Sequence, residues 1–314
     1  MFRHILVPLD GSLVSEAALP YAQALAARTG AQLTLIRAAH GGSLTHPGAS
    51  PLRAIGDADY YLTDVADRLA LDGLWVDTGV PYGSPAEWIV EEIGLRGIDL
   101  VVMATHDRTG PQRWLRGSVA EAVVSQSPVP VLLIRAADGI RPAERFRQAR
   151  PVLVVPLDGS EFAEAAVPVA TDLAKVIEAR LVLVAAVPAP GQLTAAEMGF
   201  AAYIREDRER LVAETRSYLE DVAQRIPAPG VKLECVVRFG EAATEIARVA
   251  QESAAAAVVM ATHGRIGLAR TIMGSVAGGV LHQSTSPVLL VSPPRLRTAE
   301  EPEPSMATAG AVPA

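Results

Sequence analysis

Short apolar runs alternate with longer amphipathic segments along most of this chain. In the first half, the apolar runs have the length of buried β-strands, and the stretches between them have helical spacing. The predicted strands cover residues 5–8, 33–37, 74–80, 99–103 and 129–135, and the predicted helices cover residues 13–28, 57–71, 85–95 and 119–125. Strands and helices that alternate at this spacing predict βαβ crossovers and a parallel sheet.

The same order of elements recurs in the second half. Its predicted strands cover residues 152–156, 181–187, 232–238, 256–260 and 288–292, and its predicted helices include a long one at 194–224 and a short one at 276–282. Residues 39–56 show no periodicity and are predicted to form a loop. We therefore expect two domains, residues 1–137 and 151–293, joined by a polar linker at 138–150 and followed by a disordered tail at 294–314.

Two stretches of sequence occur twice, which indicates an internal duplication of domain size. Ile5-Leu-Val-Pro-Leu-Asp-Gly-Ser12 is matched by Leu153-Val-Val-Pro-Leu-Asp-Gly-Ser160. The run Val101-Val-Met-Ala-Thr-His106 is matched by Val258-Val-Met-Ala-Thr-His263. Each copy therefore contains its own first strand, fourth strand and following loop.

The loop after the fourth strand carries the candidate chemistry. In the second half it reads Ala261-Thr-His-Gly264, then nine residues, then Gly274-Ser275 at the start of a helical pattern. A strand, a glycine loop and a helix start together present backbone N–H groups to a phosphate. The first half reads Ala104-Thr-His-Asp107, then nine residues, then Gly117-Ser118.

This spacing resembles the nucleotide motif of the universal stress protein family, which is Gly-x2-Gly-x9-Gly-(Ser/Thr) after the fourth strand. The second half departs from it only by Ala261 in place of the first glycine, whereas the first half has Ala104 and Asp107 in place of two glycines. The resemblance covers nearly the whole chain. It implies an α/β fold with two tandem doubly wound parallel five-stranded sheets packed as a pseudo-dimer, and ATP as the ligand, alone or with Mg²⁺.

The resemblance also implies roles for individual residues. In the family, the aspartate after the first strand contacts the ribose or the metal, the residue after the second strand touches adenine, and the glycine loop and serine bind the phosphates. The matching residues of the second half are Asp158, Ala186, Ala261, Gly264, Gly274, Ser275 and Val276. Those of the first half are Asp10, Ala38, Ala104, Gly117, Ser118 and Val119. Asp158 and Asp10 are the implied metal contacts.

Several of these residues have structural alternatives. Asp-Gly-Ser is a common turn, so Asp10 and Asp158 could simply start helices, although the agreement of both copies favours function. Ser118 has the spacing of a capping box with Glu121. In the second half Gly278 takes the place of that glutamate.

Loop histidines and threonines follow both fourth strands, at Thr105-His106 and Thr262-His263. No nucleophile with an orienting partner is evident beside them, so we predict no catalytic residue. Arg265 and Arg270 could meet phosphates or only water. The sequence also lacks a Walker A motif, a dinucleotide fingerprint after the first strand and a Cys/His metal cluster.

Three functions stay open. The motif favours an ATP-binding regulatory protein of the stress response, with at most slow hydrolysis and with the second domain as the better site. A nucleotide-independent protein-interaction module is the alternative, and Asp107 favours it for the first half because a carboxylate repels phosphates. An ATP-dependent ligase would need a basic or nucleophilic substrate loop, which is not evident.

Composition narrows the partners and the location. The 314 residues carry a formal net charge of −7, which argues against unspecific nucleic-acid binding. No apolar run reaches the roughly 18 residues of a membrane span, and no signal peptide is evident, so we expect a cytoplasmic protein. Cys235, the single cysteine, lies in a strand pattern and is expected to be a buried small side chain.

The two halves are also expected to associate within the chain. Their last strands, at residues 129–134 and 287–291, are candidate edge strands with open hydrogen-bonding groups. Pairing of these edges would make the chain a pseudo-dimer. Further homodimerisation through other faces stays open.

Overall fold

The computed structural model describes residues 2–39, 50–105, 118–136, 141–187, 201–262 and 274–292. Within them lie ten strands: β1 (His4–Pro8), β2 (Gln32–Ile36), β3 (Val76–Gly79), β4 (Leu100–Thr105), β5 (Val131–Arg135), β6 (Val152–Pro156), β7 (Arg180–Val187), β8 (Leu233–Phe239), β9 (Ala257–Ala261) and β10 (Val288–Val291). They form one sheet in the order β3-β2-β1-β4-β5-β10-β9-β6-β7-β8. The predicted fold class is thereby confirmed.

The helices cover both faces of this sheet. They are α1 (Leu13–Glu16), α2 (Leu19–Thr29), α3 (Pro51–Ala70), α4 (Pro85–Arg96), α5 (Ser118–Gln126), α6 (Arg141–Phe146), α7 (Glu161–Glu164), α8 (Ala166–Ile177), α9 (Ala201–Arg225), α10 (Ala242–Glu252) and α11 (Ser275–Gln283). Alternate strand residues face opposite layers, as a period of two requires. Ile5 and Val7 lie in the core beneath α2, α3, α8 and α9, and Leu6 lies in the core beneath α4, α5, α10 and α11.

Within each half every strand pairing is parallel, and the two halves meet through an antiparallel pairing of β5 with β10. Val288 lies opposite Leu133, and Leu290 lies opposite Val131. These are the two last strands that the sequence predicted to pair. Both apolar cores contain residues from both halves, so each core continues across the β5–β10 pairing.

Helix boundaries differ from the prediction in two places. The predicted helix at 13–28 is divided into α1 and α2, and Pro20 lies in the first turn of α2, where a missing N–H costs no hydrogen bond. The predicted loop at 39–56 is wrong from residue 51 onward, because α3 begins at Pro51. The side chain of Ser50 caps that helix by accepting a hydrogen bond from the Arg53 N–H.

The segment predicted as a polar linker contains helix α6. Phe146, at its end, is fully buried in the core shared by the two halves. Arg145 donates from Nη1 to the Ala255 carbonyl at 2.9 Å and to the Ser286 hydroxyl at 3.0 Å. The connection therefore fastens the halves together. The predicted tail and the start of the predicted helix at 194–224 lie outside the described residues.

Candidate functional site

Each half has a cavity at the carboxyl ends of its first and fourth strands. The strand order β3-β2-β1-β4-β5 reverses its direction of winding between β1 and β4, and β6 and β9 are neighbours in the same way. Ile5 lies opposite Leu100 in the first half, and Leu153 lies opposite Ala257 in the second. Ligands of open α/β sheets bind at such switch points. The neighbouring strands on which the predicted site depended are therefore present.

The cavity of the second half has a volume of about 440 Å³. The predicted residues that line it are Asp158, Ala186, Ala261, Gly274, Ser275 and Val276. They come from four separate parts of the chain and converge on one space. Gly264 lies outside the described residues. Whether these residues bind a nucleotide stays a prediction.

The cavity of the first half occupies the equivalent place and has a volume of about 240 Å³. The predicted residues that line it are Asp10, Ala38, Ala104, Ser118 and Val119. Gly117, Asp107 and both loop histidines lie outside the described residues, as do Arg265 and Arg270. The duplication thus reproduces the cavity as well as the fold.

Apolar side chains that sequence reasoning missed line one part of each cavity. They are Ile36, Ile89 and Met103 in the first half, and Val184, Ile246 and Met260 in the second. Each set comes from the second strand, the fourth helix and the fourth strand of its half. The match between the two copies was a signal that could have found them, because equivalent positions of a duplicated fold share an environment.

The two aspartates are held by the turn that follows the first strand. Asp10 Oδ1 accepts a hydrogen bond from the Ser12 N–H at 2.8 Å, and Asp158 Oδ1 accepts one from the Ser160 N–H at 3.0 Å. Gly11 and Gly159 lie between the aspartate and the serine of each turn. They have φ of 86° and 88°, a backbone conformation that favours glycine. The turn alternative for the aspartates is therefore realised, and it fixes each carboxylate at the rim of its cavity.

The helix start beside the second cavity is open. Gly274 occupies the N-cap position of α11 and supplies no side-chain cap. Ser275 is the first helical residue, so its hydroxyl lines the cavity instead of capping the helix. Ser118 is likewise the first described residue of α5 and lines the first cavity. The first turn of α11 therefore presents a positive dipole end and its first N–H groups.

The threonines after the fourth strands differ between the halves. Thr105 lines the first cavity and donates weakly from Oγ1 to the Ile134 carbonyl at 3.4 Å. Thr262 is buried, and its Oγ1 has no hydrogen-bond partner among the residues that the structure describes. A buried hydroxyl without a partner is costly. The second half therefore has an unsatisfied hydroxyl at the end of β9, where the first half has a weakly hydrogen-bonded one at the end of β4.

Behind each aspartate turn lies a cluster of tyrosine, glutamate and arginine, in which the arginine lies two helical turns after the tyrosine in both halves. In the second half, Tyr218 donates to Glu164 at 3.1 Å, and Arg225 lies 2.9 Å from the same carboxylate. Burial and the hydrogen bond to Glu164 raise the pKa of Tyr218 to about 12. The cluster joins α7 to α9 and braces the turn that carries Asp158.

The first half repeats this cluster with small differences. Tyr61 donates to Glu16 at 2.9 Å, and Arg68 lies 3.6 Å from Glu16. Burial and the hydrogen bond to Glu16 raise the pKa of Tyr61 above its ordinary value. The guanidinium of Arg37 lies over the Tyr61 ring, 4.9 Å from its centroid. This cation–π contact adds a support that the second half does not repeat, because Ala185 holds the equivalent position.

Metal ligands are sparse in the described part of the chain, which contains no group of three or more His, Cys, Asp or Glu residues able to hold an ion. Asp10 and Asp158 could therefore hold Mg²⁺ only with further oxygen ligands from water or from a bound phosphate. Cys235 is half-buried on the edge strand β8, and burial raises the pKa of its thiol. Cys235 is therefore less buried than the sequence predicted, while its raised pKa disfavours a reactive thiolate.

Comparison with known proteins agrees with this architecture. The sequence profile described as "Universal stress protein family" matches residues 1–135 and 150–292. The chain belongs to the universal stress protein family.

Relatives with the same tandem form span the chain. A universal stress protein of Mycobacterium tuberculosis is 27% identical over 296 residues, which cover 91% of this chain and 96% of that one. The crystal structure of a universal stress protein from Archaeoglobus fulgidus superposes with a TM-score of 0.66 at 19% identity, covering 94% of this chain and all of that one. A structure from Pseudomonas aeruginosa gives 0.61 at 22% identity, covering 93% and 94%.

The solved relatives fix the fold of this universal stress protein and leave its ligand to be argued from its own cavities. No helix in the described part of the chain is both long enough and apolar enough to cross a membrane.

Proposed function

We propose that this universal stress protein is an ATP-binding regulatory protein of the cytoplasm, with at most slow hydrolysis, and that its second half is the better nucleotide site. One observation carries the proposal. The second cavity brings Asp158, Ala186 and the open start of α11 to a single space of about 440 Å³. Small-molecule sites have volumes of about 300 to 1,000 Å³.

The chemistry of this lining suits an adenine nucleotide. Val184, Ile246 and Met260 offer an apolar surface for a flat base beside Ala186. The Asp158 carboxylate suits a ribose hydroxyl, or a Mg²⁺ ion that the phosphates also bind. The N–H groups and dipole of α11 suit the phosphates. The first cavity has the same types of residue in a smaller space, which supports weaker binding there.

The same lining supports binding rather than rapid turnover. Among the described residues that line the two cavities there is no lysine, arginine or histidine. Fast phosphoryl transfer relies on such groups to stabilise charge on the transferred phosphate. We therefore expect phosphate release to stay near the rate without protein. A turnover far above that rate would replace this proposal with an enzymatic one.

Calorimetric titration of ATP, with and without Mg²⁺, tests the proposal with a matched pair of variants. Ala186→Trp places a large ring in the second cavity, and Ala38→Trp does the same at the equivalent position of the first. We expect Ala186→Trp to weaken the tighter site by more than about tenfold. Ala38→Trp should leave that site unchanged. Thermal unfolding of each variant shows whether the fold is intact.

A second function is favoured for the first half by its surface. Large apolar side chains are exposed there, among them Tyr60 at 79%, Trp75 at 75% and Leu71 at 88%. In the second half, the most exposed large apolar residues of the described part are Val176 at 37% and Leu211 at 41%. A protein-interaction role suits this difference. If neither cavity binds ATP in the titration, the interaction role replaces nucleotide binding for the whole chain.

A further inference from the structure

Strand β8 forms one outer edge of the ten-stranded sheet, and β3 forms the other. Along the described part of the chain, β8 pairs only with β7. None of the seven residues of β8 is fully buried, whereas six of the eight residues of β7 are. An open strand edge of this length carries unpaired backbone groups, which makes it a template for pairing with another chain.

The outer backbone groups of β8 belong to every second residue. The Leu181 N–H donates to the Lys232 carbonyl at 2.8 Å, and the Gly240 N–H donates to the Val187 carbonyl at 3.0 Å. Since successive residues of a strand direct these groups to opposite sides, the even-numbered residues of β8 bond to β7. The odd-numbered residues therefore direct their N–H and C=O groups outward, and these residues are Leu233, Cys235, Val237 and Phe239.

The sequence of β8 fits a second copy of itself in antiparallel orientation. When the two strands are centred on Val236, each residue faces the one that lies equally far on the other side of this centre. The facing pairs are Leu233 with Phe239, Glu234 with Arg238 and Cys235 with Val237. Apolar side chains therefore face apolar ones and the acid faces the base, and each pair occurs twice by symmetry.

This register also fits the backbone. The outward-facing residues oppose one another, as the hydrogen-bonded pairs of an antiparallel ladder require. Glu234 and Arg238 then form a pair of the non-hydrogen-bonded kind, in which the Cα atoms lie about 4.5 Å apart and the side chains are closest. Opposite charges that face each other directly across two strands stabilise the pairing.

Both charged side chains are accessible and already belong to ion pairs of their own chain. Glu234 is 54% exposed and lies 2.6 Å from Arg180, and Arg238 is 38% exposed and pairs with Glu252. Pairing of two copies would therefore join four charges of alternating sign on each side of the centre. A charge that meets an opposite charge on both sides has no like-charged neighbour in this network.

The first half has no such edge. Strand β3 has four residues, and Pro81 holds the position equivalent to Arg238. A proline cannot donate to a ladder and is typical of protected edges. Asp77, at the position equivalent to Glu234, pairs with Arg96 and would face this proline in the same register. The self-complementary pattern therefore belongs to β8 alone.

We propose that the chain forms a homodimer through antiparallel pairing of β8 with the β8 of a second copy. The pairing joins two ten-stranded sheets across a twofold axis at Val236. It gives hydrogen-bond partners to the outer groups of β8. None of the residues that line the two cavities at the carboxyl ends of the strands belongs to β8, so dimerisation and nucleotide binding can be tested separately.

Sedimentation equilibrium of the full chain tests the proposal with two charge-reversal variants. Glu234→Arg and Arg238→Glu each place like charges opposite each other at two positions, so each should weaken dimerisation by more than about tenfold. A mixture of the two variants places arginines opposite glutamates at both positions and should form a heterodimer. Asp77→Arg, on the other edge strand, is the matched control and should leave dimerisation unchanged.

Recovery in the mixture distinguishes a broken interface from a damaged fold, because each variant keeps its own altered ion pairs when it is mixed. A wild-type chain that stays monomeric at high micromolar concentration would overturn the proposal. A dimer that survives Glu234→Arg, or a mixture without heterodimer, would also overturn it.

Disulfide formation tests the register. Val236→Cys in a Cys235→Ser background places two cysteines opposite each other with Cα atoms about 4.5 Å apart, within the range of a disulfide. Mild oxidation should therefore link the dimer covalently. The two copies of Cys235 in the wild-type chain lie diagonally, at about 7–8 Å, which is too far for a disulfide. Linkage of the wild-type chain but not of the Val236→Cys variant would overturn the register.

Discussion

The two cavities at the carboxyl ends of the strands occupy equivalent places in one duplicated fold, yet they differ in volume and in some of their lining residues. The first has a volume of about 240 Å³ and the second about 440 Å³. Ser15 lines the first, and Ala163 holds its place in the second. In the loops beyond the described residues, Asp107 stands where the second half has Gly264. The strands and the apolar lining are thus common to both copies. The copies differ at the lining position of Ser15 and Ala163 and at the loop position of Asp107 and Gly264.

The geometry of the sheet allows the cavities to diverge in this way. All strands within a half run parallel, and the halves meet through the antiparallel pair β5 and β10. The carboxyl ends of the strands therefore point in opposite directions in the two halves. Each cavity opens at the carboxyl ends of the strands of its own half. One ligand cannot span both. Since the apolar cores are shared, a change in one cavity can still alter the stability of the whole chain.

The loop residues should have the largest effect on this comparison. A carboxylate at about 4 Å from a phosphate costs on the order of 1 to 4 kcal/mol, according to how wet the site is. Gly264→Asp should therefore weaken ATP binding in the second half by roughly five- to several-hundred-fold. Asp107→Gly should strengthen binding in the first half in the same direction. Calorimetric titration of both variants measures the two changes.

Magnesium provides the control for this exchange. If Asp107 holds Mg²⁺ against the phosphates, Asp107→Gly will weaken binding only when Mg²⁺ is present. If Gly264→Asp leaves ATP affinity unchanged, the loop is not the phosphate site and the proposal for the second half fails. Two equal sites in the wild-type chain would instead remove the role given to Asp107.

Sequence reasoning was strongest where one physical pattern dominates. The predicted strands begin and end within a few residues of the observed ones, because a buried parallel strand is a nearly continuous apolar run. The gathering of Asp158, Ala186 and Ser275 followed from the motif and the expected strand order. Helix boundaries were predicted less accurately, because the division between α1 and α2 depends on a single proline, Pro20. Helix α6 was missed because Ala143 and Phe146 are the only buried residues among its described side chains, and two apolar residues in a polar stretch give no helical period.

The hydrogen bond between Gln23 and Asp72 in the first half shows what a local pattern cannot supply. Thr171 and Pro229, which hold the equivalent positions in the second half, are far apart in sequence, and each is unremarkable in its own segment. Their meaning emerges only when the hydrogen bond between Gln23 and Asp72 is seen at the equivalent place. Tertiary pairing decides which polar residue is satisfied, and composition and periodicity do not encode it.

The tyrosines behind the aspartate turns should give the next largest effect. Tyr61→Phe and Tyr218→Phe each remove a hydrogen bond to a glutamate, which is worth about 1.5–3 kcal/mol when one partner is charged. The Tyr61 variant should lose more, because Arg68 lies 3.6 Å from Glu16 and also pairs with Asp64. Urea unfolding of both variants measures the difference. Equal losses would show that the arginine distance does not matter.

The same tyrosines predict a dependence on pH. Burial and its glutamate raise the pKa of Tyr218 from the ordinary value of 10 to about 12. Between these values the unfolded chain has lost a proton that the folded chain retains, so the free energy of unfolding falls as pH rises. The stabilisation is complete below pH 10 and is lost toward about pH 12. Tyr218→Phe should show a smaller fall over this range than the wild-type chain, and an identical fall would contradict the shift.

The smallest effect concerns the hydroxyl of Ser15, because Ala163 holds the equivalent position in the second cavity. Ser15 Oγ accepts a hydrogen bond from the Asp10 N–H at 3.2 Å and donates to the Ser12 carbonyl at 2.9 Å. Ser15→Ala should therefore lower the free energy of unfolding by about 0.5–1.5 kcal/mol, and Ala163→Ser should raise it by no more than that. Urea unfolding measures both. If Ser15→Ala changes nothing, water replaces the hydroxyl, and the smaller first cavity does not gain rigidity in its aspartate turn from Ser15.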